Sequence, residues 1–221
     1  MISMSNPRTA PEVHDGSTST IFHNLQFGYN SELSKVKTSE FLEHSKHVVE
    51  IIEKMGKMFA PLKYDMNGNI NKITAMYKKD EVAHQYLEDM VLTEQAAGGL
   101  TTIDALQWLR RGLHFLAKFF DCILEDVDQG GNQQTLVPFL KIAYETVLQR
   151  YHGWMGGQLF NIMCRFAPNR KELYKILAST HTYNEEHVVA GMRVFKTNLL
   201  ICINHLVKFY RDYNLENEAV V

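Results

Sequence analysis

The run TTIDALQWLRRGLHFLAKFFDCILED, Thr101 to Asp126, reads as one uninterrupted helix, and a helix of that length needs partners along its whole apolar face. Thr101 and Asp104 give it a Thr-x-x-Asp capping signal, and Gly98 with Gly99 ends the helix before it. Helical spacing dominates its neighbours too. Phe41, Val48, Val49, Ile52 and Met55 form a stripe after a Ser39 cap, and a second pattern runs from Val82 to Ala97. A further region starts at Thr135, accepts Pro138 in its first turn and continues to Pro168, with Gly153, Gly156 and Gly157 predicting a kink. Two more helices are expected from Asn169 to Ser179 and from Asn184 to Tyr213. No segment shows convincing period-2 alternation, so the fold class is all-α.

The chain has 221 residues with 45% hydrophobic content, which suits one domain with a substantial core. Residues 1 to about 20 are polar, rich in Pro, Ser and Thr, and read as a mobile tail. Order is expected to start between Ile21 and Ser39. A formal charge of −2 with scattered Lys and Arg gives no footprint for nucleic acid. Cys122, Cys164 and Cys202 lie in apolar helical runs without CxxC spacing, which suits buried thiols in a reducing, cytoplasmic compartment. The N-terminus has no signal-like charged and apolar regions, and the longest purely apolar run is Leu199 to Ile203, so neither secretion nor a membrane span is expected.

The stretch LKYDMNGNINKI, Leu62 to Ile73, is unusual in placing three Asn beside Asp, Gly and Lys within helical surroundings. At 100° per residue Asp65, Asn69 and Lys72 fall at 0°, about 40° and about −20°, one narrow face shared with Gly68. Met66, Ile70, Ile73 and Tyr77 form a separate apolar stripe that would anchor the helix, while Asn67 and Asn71 point elsewhere. A calcium loop is excluded, because counting from Asp65 the Gly comes too early and Met76 stands where a Glu is required. A hairpin at Asn67-Gly68 lacks flanking strands. Two readings remain: Asp65 as a helix N-cap with a solvated face behind it, or a hydrogen-bonding platform suited to vicinal sugar hydroxyls.

The ordered trio DMNGNINKI, ALQWLRRGLHF and YHGWM resembles the glycolipid transfer protein family, over roughly residues 36–216. The resemblance implies a two-layer helical sandwich of about eight helices enclosing an apolar lipid pocket, with residues 1–35 as a mostly flexible extension and 217–221 as a C-terminal tail. It implies a glycosphingolipid ligand, namely glucosylceramide, galactosylceramide or lactosylceramide, carried between membranes with no catalytic step and no cofactor or metal. Carried over by position, Asp65 and Asn69 would bond sugar hydroxyls and Lys72 would donate to the sugar region. Trp108 would stack under the ring, and His152 would donate to the ceramide amide carbonyl while Asp65 accepts from the amide N–H. A monomer making transient peripheral contact with membranes is expected.

Elementary energetics fit this division of labour. Each neutral hydrogen bond contributes only about 1 kcal/mol net, so sugar selectivity needs several of them. Two acyl tails of about 30 methylenes would cost roughly 20 kcal/mol to bring into water, a barrier that an apolar sleeve removes without chemistry.

Departures from the family pattern matter as much. The ceramide-1-phosphate branch carries cations where this chain has Asp104 and Trp108, so the glycolipid branch is the closer match, with Asp104 either a headgroup neighbour or a capping carboxylate. Glycolipid members often have a Tyr near the C-terminus, whereas this chain ends NLENEAVV. Trp154 and Met155, in YHGWMGGQLF, would form the bilayer-docking surface by resemblance, although Trp154 taken alone reads as core.

Rival functions lack their motifs. A sphingolipid hydrolase would use Asp65 and His152, but no GxSxG, HExxH or second paired carboxylate accompanies them. A glycolipid sensor reporting to a protein partner is the other alternative, and a ceramide-1-phosphate carrier a further one. KFFDCIL, Lys118 to Leu124, superficially resembles a partner-binding motif but has core spacing.

Overall fold

The computed structural model describes residues 20–22, 25–178 and 184–220. Among these are eight α-helices: α1 (Thr38–Lys54), α2 (Ala60–Tyr77), α3 (Leu87–Ala96), α4 (Thr101–Asp128), α5 (Val137–Val147), α6 (Trp154–Cys164), α7 (Arg170–Leu177) and α8 (Glu185–Asp212). They build a two-layer helical sandwich organised around α4, which packs against α2, α5 and α8, with α1 lying on α2. The reason is in the α4 sequence. Leu106, Leu109, Leu113, Ala117, Phe120 and Leu124 are all fully buried, so most of the circumference of this helix meets another element.

Helix starts differ from expectation in instructive ways. α4 has no side-chain cap at Leu100, and the Thr101–Asp104 capping pair does not form. Instead buried Glu94, from α3, reaches the free amides: its Oε2 accepts from Thr102 N at 2.7 Å and Ile103 N at 2.9 Å. A carboxylate at the positive end of a 28-residue helix is favourably placed whichever residue supplies it. Nor does Ser39 cap α1, which already starts at Thr38, where the hydroxyl donates to His84 O. The expected helix from Val82 begins only at Leu87, because Asp80 Oδ1 accepts from Val82 N and Ala83 N and holds those residues in a turn. Asn169 and Glu172 form a reciprocal capping box on α7.

The region expected as one kinked helix from Thr135 to Pro168 is two helices. α5 ends at Val147, a 3-10 turn spans Gln149–Tyr151, and His152 and Gly153 are extended before α6 begins. The all-α expectation also overlooked a small antiparallel pair, β1 (Tyr29–Asn30) and β2 (Lys35–Val36), with Tyr29 opposite Val36. It is tied to α3 by Glu88, whose carboxylate accepts from Val36 N and meets His205 Nε2 at 2.8 Å.

Residues 1–19 of the expected tail lie outside the described residues. Ahead of residue 36, however, Phe22, Leu25 and Phe27 are buried, and Phe22 stacks on Phe195 of α8 with centroids 4.7 Å apart. Packing therefore extends upstream of the boundary drawn at residue 36. All three cysteines are buried and unpaired. No helix among the described residues is long and apolar enough to cross a membrane.

Where α1, α2, α4 and α5 meet, the apolar side chains of Ile52, Phe59, Leu62, Phe115, Phe119 and Leu140 surround a void of only about 20 Å³. A pocket for a ligand of even modest size takes about 300–1,000 Å³. Passage of a hydrocarbon chain between these helices therefore requires them to part.

Candidate functional site

LKYDMNGNINKI lies wholly within α2. The helix starts five residues before Asp65, at Ala60, with Pro61 in its first turn, so Asp65 is not an N-cap. Met66, Ile70 and Ile73 are fully buried, as the apolar stripe requires. On the neighbouring face Asp65 and Lys72 are exposed, and Asn69 is 5% exposed, with its Nδ2 donating to Asp65 Oδ2 across a long 3.5 Å. An ideal Cβ on Gly68 would meet nothing within 4 Å, so the helix surface is open there.

Trp108 comes from the N-terminal third of α4 and His152 from the extended link before α6. Both are half-buried. Their rings lie 18° from parallel with centroids 6.1 Å apart, within the range of offset aromatic contact. Tyr144 of α5 backs the imidazole, its hydroxyl 3.2 Å from His152 Nδ1, and Tyr144 itself stacks on Phe160 at 4.0 Å. Gly156 makes this placement possible, since a Cβ there would come within 3.0 Å of His152 Cβ. A hollow of about 360 Å³ opens beside His152, between Tyr144, Gly153, Trp154, Gly157 and Phe160.

Electrostatics tie Asp65 to His152. Although Asp65 keeps solvent contact, the protein crowded around its carboxyl raises its pKa above the ordinary value, opposed by the nearby His152 and Lys72. Burial lowers the His152 pKa, Asp65 pulls it back up, and Arg111 lowers it further. Burial also raises the pKa of Tyr144, which keeps its proton. The site thus presents an acceptor, a neutral imidazole and a phenol at neutral pH.

Four residues of this neighbourhood were not anticipated. Arg111 stands one helical turn beyond Trp108, with its guanidinium 4.9 Å from the indole centroid and 3.5 Å from that of Tyr151. Its i, i+3 spacing from Trp108 is a signal that could have found it. Tyr144 and Tyr151 had no such signal, because their contacts depend on how α5 and the following turn fold back. The fourth is Glu216, which pairs with Arg110 at 2.7 Å and Arg111 at 3.3 Å, while Gln107 Nε2 donates to Asn217 O. The C-terminal segment is thereby docked on α4 beside the site, although no Tyr is present to do it.

Asp104 is half-buried on α4, and its carboxylate makes no hydrogen bond among the described residues. Trp154, read alone as core, is 78% exposed, as is Met155. Met155, Leu159 and Ile162 follow at i, i+4 and i+7, giving α6 an exposed apolar stripe. No cluster of potential metal ligands occurs among the described residues.

The fold is thus a helical sandwich around a closed apolar seam, with a half-open polar and aromatic cluster at one side. The sequence model described as Glycolipid transfer protein (GLTP) matches residues 36–179, and the chain belongs to that family, whose members transfer lipids and are not enzymes. It is 28% identical over 188 residues to glycolipid transfer protein A of Xenopus laevis, covering 82% of this chain and 90% of that protein. The GLTP-fold structure of FAPP2, described as selecting simple glycosphingolipids, aligns with a TM-score of 0.79 at 28% identity, covering 92% of this chain and all of that one. Human ceramide-1-phosphate transfer protein bound to its lipid shares the fold, with a TM-score of 0.76 at 15% identity over 89% of this chain and 96% of that one.

Proposed function

We propose that the protein carries glycosphingolipids with small sugar headgroups, such as glucosylceramide, galactosylceramide and lactosylceramide, between cytoplasmic membrane faces as a monomer. The observation that carries this reading is the convergence of an acceptor pair on α2, Asp65 and Asn69, with an indole and a neutral imidazole held ring to ring. An indole face suits the C–H side of a sugar, with hydroxyls directed sideways to carboxylate and amide. The Tyr144 hydroxyl donating to His152 Nδ1 would leave Nε2–H as the free donor, the group needed for an amide carbonyl. Asp65 then takes the amide N–H, and Lys72 approaches from solvent.

The exposed indole of Trp154 and the α6 stripe supply a docking surface small enough to be reversible. Headgroup preference for sugar over phosphate rests on Trp108 and Asp104, an indole and an acid where a phosphate would need cations. Relatives named for glycolipid transfer support the same assignment.

The test is transfer of radiolabelled glucosylceramide between vesicle populations, with mass spectrometry of lipid co-purified with the protein. Intact lipid reaching acceptor vesicles is the expected result. Release of free sugar, or transfer confined to ceramide-1-phosphate, would sink the proposal.

A further inference from the structure

Behind Tyr151 lies a second hollow of about 500 Å³, walled by α4, the end of α5, the end of α8 and the C-terminal segment. Its lining includes four guanidiniums, those of Arg110, Arg111, Arg150 and Arg211, together with His114. Only Glu216 and Glu218 bring carboxylates to it, so the lining carries two positive charges in excess. Asp104 does not line it, and the nearby Asp212 is held by Lys208 and stands 3.9 Å from Arg211 Nε.

The arginines are incompletely satisfied. Arg110 and Arg111 are 5% and 4% exposed, and the Nε of each is buried without a hydrogen-bond partner among the described residues. Buried guanidinium donors left unmet are costly, and a structure that keeps two of them side by side invites an explanation. Arg150 has no carboxylate within 4.0 Å among the described residues and lies 4.6 Å over the Tyr151 ring. Burial and the neighbouring Arg110, Arg150 and Lys118 all lower the pKa of His114, as an under-neutralised cationic neighbourhood would.

We infer that this hollow is a binding site for a phosphate group, held by Arg110, Arg111, Arg150 and Arg211, with the Glu216 carboxylate as the internal group it displaces. Guanidinium forks donate to carboxylate and phosphate oxygens in the same bidentate geometry, so a ligand phosphate can take over the contacts Glu216 now makes at 2.7 and 3.3 Å. The volume exceeds that of a bare phosphate and leaves space for a phosphorylated polyol. This site is separate from the sugar site and does not depend on which lipid is carried. Arg111 and Tyr151 form the wall between the two, and the Arg111 guanidinium lies 4.9 Å from the Trp108 ring.

The test is titration calorimetry of the full chain with inorganic phosphate at ionic strength held constant with chloride, alongside sedimentation with phosphatidylcholine vesicles with or without a phosphomonoester lipid. Arg150 and Arg211 are exposed, so the Arg150→Gln/Arg211→Gln variant keeps its fold, checked by thermal melting. Saturable phosphate binding weakened about ten-fold or more in that variant is expected, and tighter binding by Glu216→Gln. Binding of inorganic phosphate without lipid-dependent sedimentation supports the site with a soluble ligand, and variant-sensitive sedimentation supports it with a membrane headgroup. Absence of both, or binding indifferent to the double variant, overturns the inference. Unchanged or weaker binding by Glu216→Gln overturns the displacement.

Discussion

Trp108 and His152 are joined ring to ring, 18° from parallel, although one belongs to a 28-residue helix and the other to an extended link of two residues. The pairing couples a helix to a non-helical segment. Tyr144 on one side and Arg111 on the other complete a row of four groups whose order is set by α4 and α5 packing against each other.

Trp108→Ala removes an offset ring contact and a cation–π contact, together worth about 1–2 kcal/mol at a half-buried position, which the fold tolerates. Glucosylceramide transfer by Trp108→Ala and by Asp65→Val is expected to be abolished or severely reduced, with helical circular dichroism unchanged. Near-normal transfer by both variants would refute the site assignment.

Acidity supplies an independent check. The folded-state pKa of Asp65 lies above its ordinary value, so ionising this carboxyl disfavours folding. Its contribution to stability is fully present below the unfolded value and is lost as pH rises through the folded one. Asp65→Asn is therefore expected to melt no lower than the parent near about pH 7. Its transfer activity is expected to be poor, because the amide cannot replace a two-oxygen acceptor. A melting temperature that falls in this variant would place Asp65 in a stabilising role and contradict the sign.

Gly68 separates stability from binding. A Cβ there meets open space in a helix interior, so Gly68→Ala is expected to raise stability by roughly 0.5–1 kcal/mol in denaturant titrations. The added methyl would stand on the face proposed to meet the sugar, and transfer is expected to fall. Gly156→Ala acts by a different route, pushing on His152 Cβ from 3.0 Å, and should change the tryptophan emission spectrum as well as lowering transfer.

Membrane docking is testable apart from lipid recognition. Met155→Glu and Leu159→Glu alter side chains that are 78% and 44% exposed, so stability should move by no more than about 0.5 kcal/mol. Co-sedimentation with vesicles is expected to drop several-fold in the double variant, while binding of a short-chain glucosylceramide in solution is retained. Loss of solution binding would show that α6 shapes the pocket and does not merely touch the bilayer.

What could be read in advance followed from local periodicity. The burial of Met66, Ile70 and Ile73, and the separate polar face beside them, are consequences of 3.6 residues per turn and needed no tertiary information. Glu94 as the cap of α4 was invisible because the donor and acceptor belong to different helices, and Thr101 offered a local decoy. Trp154 misled when read alone, since an isolated indole among apolar residues looks the same whether the stripe faces inward or out. The hairpin of two residues per strand was too short for alternation to register. Docking of Glu216 against Arg110 joins residues separated by 106 positions, a contact that no window along the chain spans.

The narrow seam among Ile52, Phe59, Leu62, Phe115, Phe119 and Leu140 bears on tempo. Side chains there must relinquish their mutual contacts before an incoming tail can replace them, so loading begins with a loss that is repaid only later along the reaction coordinate. Exchange should consequently be steeply temperature-dependent, and substitutions lining the seam should alter how quickly cargo enters and leaves far more than how firmly it is held at equilibrium.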